Sequence, residues 1–94
     1  MQIQELRIKV LEYYGIDAQI EKTIEELEEL KEALISYKSD KNNTKYIENL
    51  KEELADVENM TMQINEKINY SYREKYEIMN SKMKRQIERI SQNI

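Results

Sequence analysis

Apolar residues recur along this chain every three or four positions, not every second one, so the pattern predicts helices throughout. Ile3, Leu6, Val10 and Tyr13 mark one face of a first helix from about Gln2 to Tyr14. Gly15 suits the left-handed C′ position that ends a helix, and Asp17 suits the N-cap of the next. A second helix then runs from about Asp17 to Tyr37, with Ile20, Ile24, Leu27, Leu30 and Leu34 as its apolar stripe. The polar stretch Ser39 to Thr44 is the clearest break, with Asn43 or Thr44 as a cap. It makes helices two and three an antiparallel hairpin. The third helix is expected from near Lys45 to Asn69, striped by Ile47, Leu50, Leu54, Val57, Thr61, Ile64 and Ile68. A weaker break at Asn69 to Tyr72 precedes a last helix to about Ser91. Its stripe is Tyr72, Tyr76, Met79, Met83, Ile87, Ile90 and Ile94. The expected architecture is all-α: one domain over residues 1–94, an antiparallel bundle of about four helices, completed by oligomerisation because so short a chain buries a modest core.

The polar positions sharpen this. At ~100° per residue, the stripe of the second helix spans roughly 120°. Beside it lies the row Gln19, Lys22, Glu26, Glu29 and Ala33. Glu25, Glu28 and Glu32 point further round, toward solvent. On the third helix Glu53 lies within about 60° of Leu50 and Val57, with Asp56 at the edge of the same side. Four carboxylates, Glu26, Glu29, Glu53 and Asp56, are thus expected to border apolar faces. Glu53 is the hardest of them to explain by solvation, since a carboxylate among apolar neighbours is costly unless paired or metal-bound. On the last helix Lys75, Lys82, Arg85 and Arg89 form a basic row.

Composition excludes several chemistries. The chain has no cysteine and no histidine, which removes disulfides, thiol nucleophiles and the Ser-His and Cys-His mechanisms. Asp/Glu, Lys, Tyr or a metal ion must do any chemistry. Charged residues are 36% of the chain, yet the net charge is only -4, so no basic excess points to a nucleic acid polymer. No run of ~18 apolar residues offers a membrane span, and the N-terminus lacks the layout of a signal peptide. A cytoplasmic protein is the expectation.

Residues three apart on a helix are surface neighbours, so Glu26 with Glu29, and Glu53 with Asp56, each form a two-carboxylate clamp. Facing one another across a hairpin they offer an all-oxygen site suited to Mg²⁺. Glu-rich helices are more often plain solvated faces. The placement of both motifs at the edge of an apolar stripe, and the basic row as a counterpart for phosphate oxygens, favour the metal reading.

The two motifs, E-x-x-E and then E-x-x-D, enclose residues 30 to 52. Their order and flanking letters resemble the MazG-like all-α nucleoside triphosphate pyrophosphohydrolases, small phage-type members in particular. QIEKTIEELEELKEAL resembles that family's first block, with Gln19, Lys22, Glu25, Glu26, Glu29, Leu30 and Ala33 in place. EELADVENMTMQI resembles its second, and KMKRQIERI, Lys82 to Ile90, its C-terminal basic segment. The resemblance covers most of the chain from Tyr14 onward. It implies a helical bundle active as a homodimer or homotetramer. It also implies cleavage of a nucleoside triphosphate between the α and β phosphates, giving monophosphate and pyrophosphate. Glu26, Glu29, Glu53 and Asp56 carry over as catalytic Mg²⁺ (or Mn²⁺) ligands, and one of them, Glu29 or Glu26, could instead act on the attacking water.

Two departures stand out. An Asn-x-x-Lys/Arg element frequent in that family is broken here, because Asn80 is followed at that spacing by Met83. The phosphate contact moves to Lys82, Arg85 or Arg89. The tryptophan or histidine often found near the base is also missing, leaving Tyr13, Tyr14, Tyr46 and Tyr72 as stacking candidates or as core and interface tyrosines. Gln19 and Lys22 share the carboxylate row and are candidates for substrate contact. The competing expectation is a helical interaction or nucleotide-binding module without turnover, which needs the same amphipathic faces.

Overall fold

The computed structural model describes residues 1–93, and the expected contribution of Ile94 lies outside them. Four helices account for almost all of these residues: α1 (Ile3–Tyr14), α2 (Ile16–Ser39), α3 (Thr44–Lys67) and α4 (Tyr72–Gln92). There is no strand among the described residues. The high helix propensity of Glu, Lys, Leu and Gln, a single Gly and no Pro give this result directly.

The breaks fall where turn chemistry puts them. Gly15 has φ 85 and ψ 160, a region open essentially to glycine alone, so a side chain there would strain the α1–α2 corner. Its ψ is extended, not the left-handed helical value expected. α2 therefore starts at Ile16, one residue early, and Gly15 occupies the N-cap expected of Asp17, which instead places its charge in the first helical turn. Asn43 does cap α3: its side chain accepts a hydrogen bond from the Tyr46 N–H at 3.2 Å. α3 stops two residues short of Asn69, in a Schellman turn. Tyr70 N–H donates to the Asn65 carbonyl, Asn69 N–H to that of Glu66, and Asn69 takes φ 58. Ser71 then caps α4 through the Glu74 N–H.

α2 and α3 form the expected antiparallel hairpin. Position 19 meets 63 and position 26 meets 53 and 56, so numbers rise along one helix as they fall along the other. α1 folds back against both, tied to α3 by Arg7 Nε donating to Asn59 Oδ1 at 3.0 Å. α4 makes no close backbone approach to the other three helices. Its base touches α3 through Lys75 Nζ, 3.4 Å from Met62 Sδ. The radius of gyration, 16.5 Å, exceeds the about 12 Å of a compact domain of this length, as a projecting helix requires. Instead of a closed four-helix bundle, the single chain is a three-helix unit with a fourth helix standing off it.

The core corrects the expected stripes. The buried residues of α2 are Gln19, Glu26 and Ala33, and those of α3 are Met60 and Gln63. In α2 the hairpin closes over the row that was placed beside the core. Ile20, Ile24, Leu27 and Leu34 are exposed, and only Leu30 of that stripe is half-buried. Leu54 and Ile68 of the α3 stripe are exposed as well. In α1 the buried residue is Leu11, while Ile3, Leu6, Val10 and Tyr13 are exposed. Ala33, only 2% exposed, shows why the polar row can be the seam. A small side chain there lets the two helices approach closely, and residues seven and fourteen apart stay on one side of a helix.

Candidate functional site

The hairpin seam brings the two acidic motifs together. Glu26 from α2 and Glu53 and Asp56 from α3 each place a carboxylate oxygen within 4.8 Å of the others, and such a group could hold a metal ion. Glu26 is buried, Glu53 half-buried and Asp56 exposed, so the cluster runs from the seam out to solvent. The Oε2 atoms of Glu26 and Glu53 are buried with no hydrogen-bond partner. Buried polar atoms are ordinarily satisfied, so two orphaned carboxylate oxygens at one place call for a cation or a proton.

Glu29 is exposed and stands outside that trio, yet its charge acts on Glu53. The Glu53 carboxyl is pushed above the ordinary carboxylate range. Burial is the main cause, followed by the charges of Glu29, Asp56 and Glu26. Three of the four carboxylates expected from the sequence, Glu26, Glu53 and Asp56, therefore meet at the seam, with Glu29 exposed outside them.

Of the two neighbouring candidates, Lys22 is at the site in a definite role. Its Nζ lies 3.2 Å from Glu26 Oε1 and 3.6 Å from Glu25 Oε2. The hydrogen bond and charge of Glu26 raise its pKa above the usual lysine value, against the opposing effect of burial. One lysine thus compensates one face of the cluster and leaves the buried oxygens uncompensated. Gln19 is 5% exposed and donates from Nε2 to Gln63 Oε1 at 2.9 Å. Gln63 in turn donates to the Asn59 carbonyl. This buried amide pair fixes the register of the hairpin one helical repeat from Glu26.

A cleft of about 560 Å³ opens between α1 and α2, lined chiefly by Val10, Tyr14, Ala18, Gln19, Lys22 and Met60, with Glu21 and Glu25 at its rim. Lys22 belongs to both cleft and cluster, so the two are one residue apart. Of the four stacking candidates, Tyr14 lines this cleft, edge-on to Tyr13 at 4.8 Å between ring centroids. Tyr46 and Tyr72 do not line it.

Lys82, Arg85 and Arg89 are exposed on α4, and among the described residues none pairs with a carboxylate. Since α4 stands off the hairpin, the single chain does not bring this basic row to the cluster. Gln63 was missed from the sequence. A signal was present: Asp56, Met60 and Gln63 continue the ridge of Glu53 at helical spacing, opposite the seven-residue series Gln19, Glu26, Ala33. No helix among the described residues is long and apolar enough to cross a membrane. Comparison with protein-family models, with curated proteins and with solved structures finds no match.

Proposed function

We propose that this chain is a Mg²⁺-dependent nucleoside triphosphate pyrophosphohydrolase of the MazG-like kind, hydrolysing an NTP or dNTP to the monophosphate and pyrophosphate. The supporting observation is that Glu26, Glu53 and Asp56, from two motifs far apart in sequence, place carboxylate oxygens within 4.8 Å of one another. The donor set fits a hard divalent ion. All ligands are oxygen, two oxygens are buried without a partner, and the burial and mutual repulsion that raise Glu53 would be offset by positive charge. On this reading Glu26, Glu53 and Asp56 hold the ion, Mg²⁺ or Mn²⁺. When bound, such an ion supplies charge neutralisation at phosphate oxygens and acidification of a water.

The chain's own residues do the rest. Lys22 pairs with the Glu26 carboxylate and holds it in place. Glu29, exposed beside Glu53, orients the attacking water and accepts its proton. The Gln19–Gln63 pair keeps the two motifs in register. The cleft beside Lys22 takes the nucleoside, with Tyr14 against the base. A MazG-like assembly, homodimer or homotetramer, belongs to the same reading. The test is direct: incubate the purified protein with a panel of NTPs and dNTPs and Mg²⁺, and separate the products. Monophosphate and pyrophosphate in equal amounts, lost on Glu53→Gln, support the proposal. Absence of product from every nucleotide, with nucleotide binding unchanged by Glu53→Gln, refutes it.

One observation favours a second reading, an interaction module without turnover: α4 carries an apolar stripe and buries none of it. That reading expects Glu26→Gln and Glu29→Gln to leave partner affinity unchanged.

A further inference from the structure

The basic row of α4 takes no part in the carboxylate site, and its helix carries an apolar face that the chain leaves bare. α4 has no buried residue, and Tyr72, Tyr76, Met79, Met83, Ile87 and Ile90 fall within an arc of about 80° on a helical projection. All six are exposed. The charges of α4 are sorted around that stripe. Lys75, Lys82 and Arg89 lie along one side of it and Arg73 and Lys84 along the other, all within about 120° of its centre. Arg85 lies further round, beyond Arg89. The acidic residues Glu74, Glu77 and Glu88 are about 120° or more from the centre, on the far side of the helix. Six basic residues against three acidic make α4 a positive element in a chain of net charge -4. Arg73 pairs with Glu77 at 3.5 Å. Lys82, Lys84, Arg85 and Arg89 pair with no carboxylate among the described residues.

We propose that α4 is an interfacial helix that lies along an anionic phospholipid surface, with its apolar stripe set into the boundary between headgroups and acyl chains. A planar anionic surface is the occupant because it meets both basic flanks of one stripe at the same time. A groove on a protein imposes no such two-sided sorting. The Lys and Arg stems lie over apolar surface while their charged ends reach the headgroup phosphates. The three glutamates turn to water, where an anionic surface repels them least. Tyr72 and Tyr76 each bring an apolar ring with a polar tip to the same boundary. Lying on a bilayer differs from crossing it, and no helix among the described residues is long and apolar enough to cross. α4 makes no close backbone approach to the other helices, so its stripe reaches a surface without displacing them. The inference does not depend on nucleotide chemistry, and either proposal stands if the other fails.

The experiment is vesicle co-sedimentation of the purified full chain, with vesicles of phosphatidylcholine alone or mixed equally with phosphatidylglycerol. Wild type is expected on the anionic vesicles only, with binding that falls as salt rises. Lys82→Gln with Arg89→Gln should weaken partitioning about 10-fold or more. Met83→Ser with Ile87→Ser should weaken it as well without changing net charge, with helicity followed by circular dichroism. Glu88→Gln, on the far side, should bind at least as well as wild type. The chain has no tryptophan, so Met83→Trp in the stripe and Ser81→Trp opposite it report orientation. Anionic vesicles should shift the emission of the first to the blue and leave the second unchanged. No binding to anionic vesicles, equal binding to neutral ones, or binding indifferent to Met83→Ser with Ile87→Ser would overturn the proposal. So would equal shifts in the two tryptophan variants. A blue-shifted Met83→Trp in the absence of lipid would overturn it too, by showing the stripe already covered by protein. Should the serine variant lose helicity, the tryptophan pair decides alone.

Discussion

The inner face of the α2–α3 hairpin and the outer face of α2 reverse the usual division of labour. Inside are Gln19, Glu26, Glu53 and Gln63; outside are Ile20, Ile24, Leu27 and Leu34. A chain tuned only for monomer stability would place these the other way round, because burying carboxylates is costly and an exposed leucine contributes little. The arrangement is coherent if the inside serves chemistry and the outside serves a partner. The seam gathers three carboxylates that could hold a cation, and the stripes are left uncovered.

Substitutions on the two faces can break or sharpen that contrast. The largest effect is expected on activity: Glu53→Gln should lower pyrophosphohydrolase turnover about 100-fold or more, measured by pyrophosphate release, with the fold intact by circular dichroism. Next is packing at the seam. Ala33→Leu, at a position 2% exposed, should destabilise by about 1–3 kcal/mol in a denaturant melt, because the close approach of α2 and α3 leaves no room. Gln19→Ala should cost about 1–3 kcal/mol by orphaning Gln63 Oε1, while Gln19→Leu with Gln63→Leu should be nearly neutral. A double-mutant cycle in urea distinguishes the two outcomes.

A pH series probes Glu53 itself. Its folded-state pKa is raised, so between the ordinary carboxylate range and that raised value the folded chain binds more protons than the unfolded one. Stability from this group therefore falls as pH rises through that window, and the full penalty is present above it. Metal-free wild type should lose thermal stability relative to Glu53→Gln as pH climbs toward neutrality, and added Mg²⁺ should remove the deficit. A Tm difference that does not change with pH would count against the buried-carboxylate account. The smallest effect belongs to the outer face: Leu27→Ala should change the stability of the dilute monomer by less than about 0.5 kcal/mol in the same melts.

Element type and turn position were legible because they depend on local chemistry. The three-to-four spacing, the Asn43 cap and the glycine corner all act within a few residues. The meeting of Glu26, Glu53 and Asp56 was legible too, since i, i+3 spacing on two helices joined by one turn favours it, while Glu29 falls outside the group. The inward face of α2 was not. Helical projection ranks faces by hydrophobicity, and by that rule Ile24 and Leu27 belong inside. The rule fails here because Ala33 permits a close seam and because Gln19 and Gln63 satisfy each other across it, a pairing that no single-helix pattern reveals. The standing-off of α4 was likewise hidden. Its stripe reads the same whether the covering surface comes from its own chain or from another.

The central claim is that the seam carboxylates form one divalent-cation site. Titration of the purified, metal-free protein with Mn²⁺, followed by electron paramagnetic resonance, tests it without reference to any substrate. The expected result is one site per chain in wild type, competed by Mg²⁺ and lost in Glu53→Gln and Glu26→Gln, with Glu28→Gln on the solvated side binding as wild type does. Equal Mn²⁺ binding in all four proteins, or none in any of them, would contradict it.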